Sequence, residues 1–266
     1  MSFANTGSQV TSTEAAAVPA PREQSAAVQL ATGHLAAVDR ATERLYAIVA
    51  DLDTAAVRAP SLLPGWSRAH VITHLARNAD AMVNLLTWAK TGVEHQAYTS
   101  RSDRDADIEE GATRILQLLR ADLDSACLRF AAAARDLQGS AWEAEISGPG
   151  GTPLLAHQVP WLRVRELWFH MIDLDRGVTF DDLPDEHLED FVDGVVGQFA
   201  DKPDVPAVRI VVDLPDGRQR CWELNNAGTD SSVSVGGSAA DVIGWLTGRQ
   251  DGAGLSGNVP KLPTWL

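Results

Sequence analysis

The sequence predicts an α+β protein: an antiparallel four-helix bundle followed by a small C-terminal α/β domain. Three observations predict it. Four stretches in the first two thirds carry apolar residues at spacings of three and four, the period of a helix with one buried face. After Gly177 the text changes to short runs with β-branched residues, led by Val208-Arg-Ile-Val-Val-Asp213. Turn-forming glycines and prolines separate these stretches, as in Ser61-Leu-Leu-Pro-Gly-Trp66 and Gly148-Pro-Gly-Gly151.

Taken in order, residues 1–25 are rich in Ser, Thr, Ala and Gln, lack a period, and are expected to be a disordered tail. The bundle is expected over 26–182. Its first helix should run from about Ala27 to Leu52, with Leu30, Leu35, Val38 and Leu45 facing inward. Ser67 is placed to cap a second helix that reaches Lys90 and stops at Thr91-Gly92. A polar loop from Val93 to Arg104 leads to one long helix from Asp105 to Leu137. Ala141 to Pro153 reads as a loop or small hairpin. The fourth helix spans Leu154 to Asp175, with Pro160 marking a kink or the true start. The second domain, 183–266, should hold a helix over 185–200, strands over 208–213, 219–224 and 231–235, and a helix capped by Ser238.

The chain has 266 residues, 45% of them apolar, enough for one large domain or two modest ones. A net charge of -14 leaves no basic stripe to neutralise phosphates, which argues against nucleic acid and an anionic membrane as partners. The two cysteines, Cys127 and Cys221, form no CxxC pair. That argues against a thiolate zinc site or a disulfide scaffold, and both are expected as buried thiols in a reducing cytoplasm. No signal-peptide pattern and no apolar run near 20 residues is present. The expectation is a soluble cytoplasmic monomer.

The chemistry gathers on the fourth helix. In Arg163-Val-Arg-Glu-Leu-Trp-Phe-His-Met-Ile-Asp173, Glu166 and His170 stand four apart, on one helix face, with Asp173 three further on. A carboxylate and an imidazole so placed can grip a transition metal, and a third ligand must come from elsewhere. His74 is the best candidate, with His70 one turn earlier in competition; spacing alone leaves both open. Two His and one Glu form a catalytic zinc set that keeps a position free. The bland alternative is a surface glutamate beside a core histidine. The apolar neighbours Leu167, Trp168, Phe169 and Ile172 favour burial, and a buried carboxylate needs a partner. Trp66, Trp88, Trp161 and Trp168 read as bundle core. Arg104 and Arg249 fall in polar loops, where the default is a solvated charge. No dinucleotide, Walker or nucleophile-elbow text is present.

Two stretches carry a resemblance: Leu63-Pro-Gly-Trp-Ser-Arg-Ala-His-Val-Ile-Thr-His74, and Arg163-Val-Arg-Glu-Leu-Trp-Phe-His170 with Asp173. From about residue 27 onward the chain resembles the mycothiol-dependent maleylpyruvate isomerases, within the DinB-like metal-binding bundles. The ending Val259-Pro-Lys-Leu-Pro-Thr-Trp-Leu266 is also similar. The resemblance implies that His74, Glu166 and His170 hold zinc or another divalent transition metal. It implies that Arg104, with Arg101 competing nearby, binds a substrate carboxylate, that Arg249 reaches the cleft, and that Asp173 orients a ligand or the thiol.

The implied activity is cis-trans isomerisation of maleylpyruvate to fumarylpyruvate, with mycothiol or another small thiol as cofactor and a small dicarboxylate as substrate. Thiolate addition makes the double bond single, and elimination restores it after rotation. The chain need not supply its own nucleophile, which agrees with its few cysteines. Two rivals stand beside this reading. One is a thiol S-transferase using mycothiol or ergothioneine, which consumes the thiol; the other is a non-catalytic metal-binding protein.

Overall fold

The structure is a computed structural model that describes residues 25–148, 151–200, 202–225 and 233–265. The tail expected over 1–25 lies, but for Ser25, outside the described residues. So do Pro149 and Gly150 of the glycine-rich turn, and the first two residues of the strand expected over 231–235.

The bundle is built from α1 (Ala26–Ala50), α3 (Arg68–Thr91), α5 (Leu116–Asp136) and α6 (Val159–Asp173), with a five-residue α2 (Thr54–Arg58) between the first two. α3 lies along α5, and α1 along α6. The inward stripe of α1 is Ala27, Ala31, Val38, Ala41, Leu45 and Val49, a spacing of three, four and seven. Leu30, expected inside, is 49% exposed because that stripe is set by small alanines that let α1 approach its neighbours. Val38 and Leu45 are buried as expected, and Leu35 packs at the edge of the core.

Ser67 stands at the N-cap of α3 and Gly92 closes it in the left-handed region, φ 71°. His70 takes a local task there. Its Nδ1 accepts from the Ser67 N–H at 3.1 Å, and its Nε2 lies 3.3 Å from Glu109.

The long helix expected from Asp105 to Leu137 is two helices. α4 (Arg101–Ala112) is capped by Ser100, whose hydroxyl accepts from the Asp103 N–H at 3.0 Å. The chain then breaks at 113–115 before α5 begins. Arg104 therefore sits on the first turn of a helix, not in a loop. α4 lies against α3. Gly111 permits this approach, since a Cβ there would overlap the Thr73 methyl. The apolar residues Ile115, Leu118 and Leu128 remain exposed, while Leu119 and Leu123 enter the core.

A hairpin of β1 (Glu145–Ser147) and β2 (Pro153–Leu155) precedes α6. α6 starts at Val159 with Pro160 in its first turn, where the missing N–H costs no hydrogen bond.

The C-terminal part holds α7 (Leu188–Gly197), β3 (Val208–Asp213), β4 (Gln219–Leu224), β5 (Val233–Ser238), α8 (Ala239–Leu246) and a short β6 (Ser256–Gly257). The sheet order is β4-β3-β5-β6, with β3 and β5 parallel and the other pairs antiparallel. Val208, Ile210 and Val212 alternate into the core along β3. Ser238 caps α8 by accepting from the Asp241 N–H at 3.1 Å. Cys127 is buried, but Cys221, on β4, is exposed; the expectation that both are buried fails for the second. Among the described residues no helix is long and apolar enough to cross a membrane.

Candidate metal centre

α3 and α6 face each other in the bundle, and each brings polar side chains to the same place. His74 comes from the buried side of α3, between Thr73 and Leu75, and is 4% exposed. Glu166 and His170 come from successive turns of α6. Their ligand atoms all lie within 4.8 Å of one another, and among the described residues this is the one His/Cys/Asp/Glu cluster that converges so closely. His74 Nε2 lies 2.9 Å from Glu166 Oε2, and His170 Nε2 lies 3.4 Å from the same oxygen. The imidazole centroids are 4.4 Å apart, edge to face. His70, the competitor for the third place, is outside the cluster.

The surroundings tune these groups. Burial, then the nearby His170, push the His74 pKa down to about 4, so this imidazole is neutral at ordinary pH. Burial alone would raise the Glu166 carboxyl, but hydrogen bonds from His170 and His74 hold it well below its ordinary value. Burial likewise pulls His170 down, and the hydrogen bonds and charges of Asp173 and Glu166 outweigh it, so its pKa is raised. The Glu166 side chain keeps 28% of its surface open, which leaves an approach to the cluster.

His170 is held from behind. Its Nδ1 lies 2.8 Å from Asp173 Oδ2, which fixes the ring and turns Nε2 toward the centre. Asp173 is fully buried and receives two more hydrogen bonds from Arg249. Gly248, with φ 69°, ends the turn after α8 and delivers Arg249 to that position. The Arg249 guanidinium also packs against the rings of Phe169 and Trp265, with its carbon 5.8 and 5.5 Å from their centroids. Arg249 thus reaches the centre from the C-terminal part, but its donors are directed at Asp173.

Arg104 is at the mouth. Its Nη2 donates to His74 Nδ1 at 3.2 Å and its Nη1 to Asp105 at 2.8 Å. Arg101, its competitor, is exposed on the same turn. Trp66 is partly buried against the core, as expected, and its ring also lies 5.7 Å from that of His74. Two residues at the mouth were not legible in the sequence. Tyr98 lies under the Arg104 guanidinium at 5.7 Å, and buried Asn78, one turn after His74, accepts from Arg163 at 2.8 Å. Tyr98 stands in an aperiodic stretch with no motif, so nothing marked it. Asn78 could have been found as a polar residue four positions from His74 on the same face.

Two nitrogens and one carboxylate oxygen, converging with one side accessible and His170 braced by a buried acid, could hold a divalent transition-metal ion. The neutral His74 is the form that a cation requires.

Known proteins share this chain's fold and family. Residues 38–175 match the family model of the mycothiol maleylpyruvate isomerase N-terminal domain, and residues 182–264 match the MDMPI C-terminal domain. Two crystal structures are similar over most of the fold. One is of the mycothiol-dependent maleylpyruvate isomerase, at 29% identity and TM-score 0.80, covering 88% of this chain and 97% of that one. The other is a histidine-to-alanine mutant under the same name, at 28% identity, with the same score and coverage. No curated protein matches. One family model spans more than half of the chain and its companion most of the remainder, so the chain belongs to the mycothiol maleylpyruvate isomerase family.

Proposed function

We propose that this protein is a thiol-dependent isomerase that converts maleylpyruvate to fumarylpyruvate. The observation that carries the reading is the convergence of His74, Glu166 and His170, with Arg104 at the open side, in a chain of this family. Zinc at this centre supplies the positive charge that favours a thiolate over a thiol, and mycothiol supplies the sulfur whose reversible addition makes the cis double bond single.

The chain's own residues do the rest. His74 and His170 direct their Nε2 atoms toward the same Glu166 oxygen, and Glu166 supplies the single negative charge among the three. Asp173 holds His170 in register, and Arg249 neutralises Asp173, so the buried acid does not compete for the cation. Arg104 is partly exposed and carries donors beyond those it gives His74 and Asp105. It is the group that binds a substrate carboxylate as a charge-assisted pair. Trp66 and the core around α6 exclude water from one wall. We place the protein in the cytoplasm as a monomer, acting on a small dicarboxylate; the unpaired Cys127 and Cys221 agree with a reducing compartment.

The test is turnover of maleylpyruvate with mycothiol, with ergothioneine and with no thiol, with metal content measured on the same sample. Product formed in excess of thiol, with about one zinc per chain, is the expected result. Thiol consumed one for one would overturn the isomerase reading in favour of a transferase.

A further inference from the structure

A second arginine stands at the opening, and the reaction above gives it no task. From Val159 to Asp173, α6 is buried except at Trp161, Leu162, Arg165 and Glu166. These four stand at i, i+1, i+4 and i+5, so they form one continuous strip along the helix. The approach to Glu166 therefore runs past Arg165. Two neighbouring arginines are spent. Buried Arg163 donates to the Leu75 carbonyl and to Asn78 Oδ1, each at 2.8 Å, and its Nη2 lies 3.5 Å from Cys127 Sγ. Arg249 gives Nε and Nη2 to Asp173 and Nη1 to the Thr247 carbonyl. Arg165 makes no hydrogen bond or ion pair among the described residues. Its Nε is shut off from solvent without an acceptor, while neither Nη is so enclosed. Its stem lies along α7 at Gly194, where an added Cβ would stand 3.0 Å from Nη1 and 3.3 Å from Cδ. A guanidinium is charged at any working pH, and one left partly buried with no acid bonded to it favours an arriving anion.

We propose that Arg165 is the second carboxylate anchor of the substrate, and that a dicarboxylate bridges Arg104 and Arg165 across the open side of Glu166. The proposal rests on the isomerase reading. Arg104 donates to His74 at 3.2 Å, His74 lies 2.9 Å from Glu166, and Arg165 is the chain neighbour of Glu166. That order of contacts puts the clustered carboxylate between the two cations. They also arrive on different elements, Arg104 on α4 and Arg165 from α6 along α7. The double bond of maleylpyruvate lies between its two carboxylates, so holding both ends sets that bond over the centre. Rotation swings one end of the substrate relative to the other. Arg104, pinned by His74 and Asp105, holds the stationary end. Arg165, bonded to nothing, follows the end that moves. No bond is made or broken at Arg165, and no proton leaves it. Its Nη donors pair with a carboxylate as a charge-assisted contact.

Arg165→Gln removes the charge and keeps a polar stem; Arg165→Lys restores a charge without the fork. The zinc-loaded proteins are titrated, without thiol, with two probes. One is heptanedioate, a saturated diacid of the substrate's chain length. The other is heptanoate, which lacks one carboxylate. Wild type is expected to bind the diacid at least about tenfold more tightly than the monoacid, as for one charge-assisted contact. R165Q should lose that preference while keeping its zinc and its heptanoate affinity, and R165K should recover part of it. In R165Q, kcat/KM for maleylpyruvate should fall at least about tenfold, mainly through KM, with the KM of the thiol unchanged. A diacid preference absent from wild type, or unchanged in R165Q, overturns the proposal. So does an equal loss of both probes, because Arg165 is then a prop for α7. A rise in the KM of the thiol alone also overturns it, because the cation then serves the cofactor. If wild type fails to isomerise maleylpyruvate yet prefers the diacid through Arg165, the reaction is wrong and the pair of anchors stands.

Discussion

Asp173 of α6 and Arg249 of the C-terminal part are joined by two parallel hydrogen bonds, Nε to Oδ1 at 2.8 Å and Nη2 to Oδ2 at 2.7 Å. The same Oδ2 lies 2.8 Å from His170 Nδ1. One buried carboxylate therefore couples the sheet-bearing part of the chain to His170, a proposed metal ligand. Burial would raise the Asp173 pKa, but His170 and Arg249 hold it below its ordinary value, so it is an anion paired on both sides. Such a fork of charge-assisted bonds fixes geometry as well as charge.

Asp173→Asn should therefore weaken metal binding while the ligands remain. The amide cannot accept from His170 and from both Arg249 nitrogens, so the ring loses its brace. A fall of about 10- to 100-fold in zinc affinity is expected, measured by competition with a chelator of known affinity. Zinc affinity equal to wild type would remove Asp173 from the support of the centre.

Replacing a ligand should do more. His74→Ala, Glu166→Ala and His170→Ala should each lose stoichiometric zinc and isomerase activity together, because two remaining ligands do not hold the ion. In wild type, a chelator should lower Tm by removing the stabilisation that binding gives the folded state. In His170→Ala the chelator should leave Tm unchanged. An active, metal-free His170→Ala protein would contradict the ligand assignment.

Arg104 should separate binding of metal from binding of substrate. Arg104→Ala is expected to retain zinc and to lose at least about tenfold in kcat/KM, the value of one charge-assisted contact near 1.4 kcal/mol. Arg104→Lys should recover part of that loss, since a point charge attracts a carboxylate without the bidentate fork. Unchanged kinetics in Arg104→Ala would place the carboxylate elsewhere.

The helix period carried most of this architecture into the text. α1, α3 and α6, the strand over 208–213 and the Ser238 cap were legible because each is set by local spacing or a local hydrogen bond. The break at 113–115 was not, because α4 and α5 share one apolar rhythm and no proline or glycine pair marks the bend. A separate miss, the start at Arg101 under the Ser100 cap rather than at Asp105, put Arg104 in a loop. Glu166 and His170 were legible as a pair because helical spacing alone joins them. The meeting of His74 with them depends on how α3 lies against α6, which no local pattern encodes; His70 has the same spacing and is spent on the α3 cap. The turning of Arg249 onto Asp173 depends on contacts between residues 76 positions apart.

A second histidine group makes stability depend on pH. His34 of α1, Trp161 of α6 and His187 beside α7 form a triangle of rings, with centroids 5.2, 5.4 and 6.2 Å apart. His34 Nδ1 and both His187 nitrogens are buried without a hydrogen bond among the described residues, although Asp190 lies 3.6 Å from His187 Nδ1. Burial, then the neighbouring His187, lower the His34 pKa; Asp190 opposes them and His157 adds to them. The folded state thus binds this proton more weakly than the unfolded chain, where the value is about 6.5. Above that pH neither state is protonated and the full stability is present. Below it the unfolded chain takes up a proton that the folded chain resists, and stability falls with pH. Tm of metal-free protein should drop as pH is lowered from about 7.5 to about 5.5. The drop should be smaller in His34→Phe, which keeps a ring against Trp161 and cannot titrate. Parallel curves for the two proteins would show that His34 carries none of the dependence.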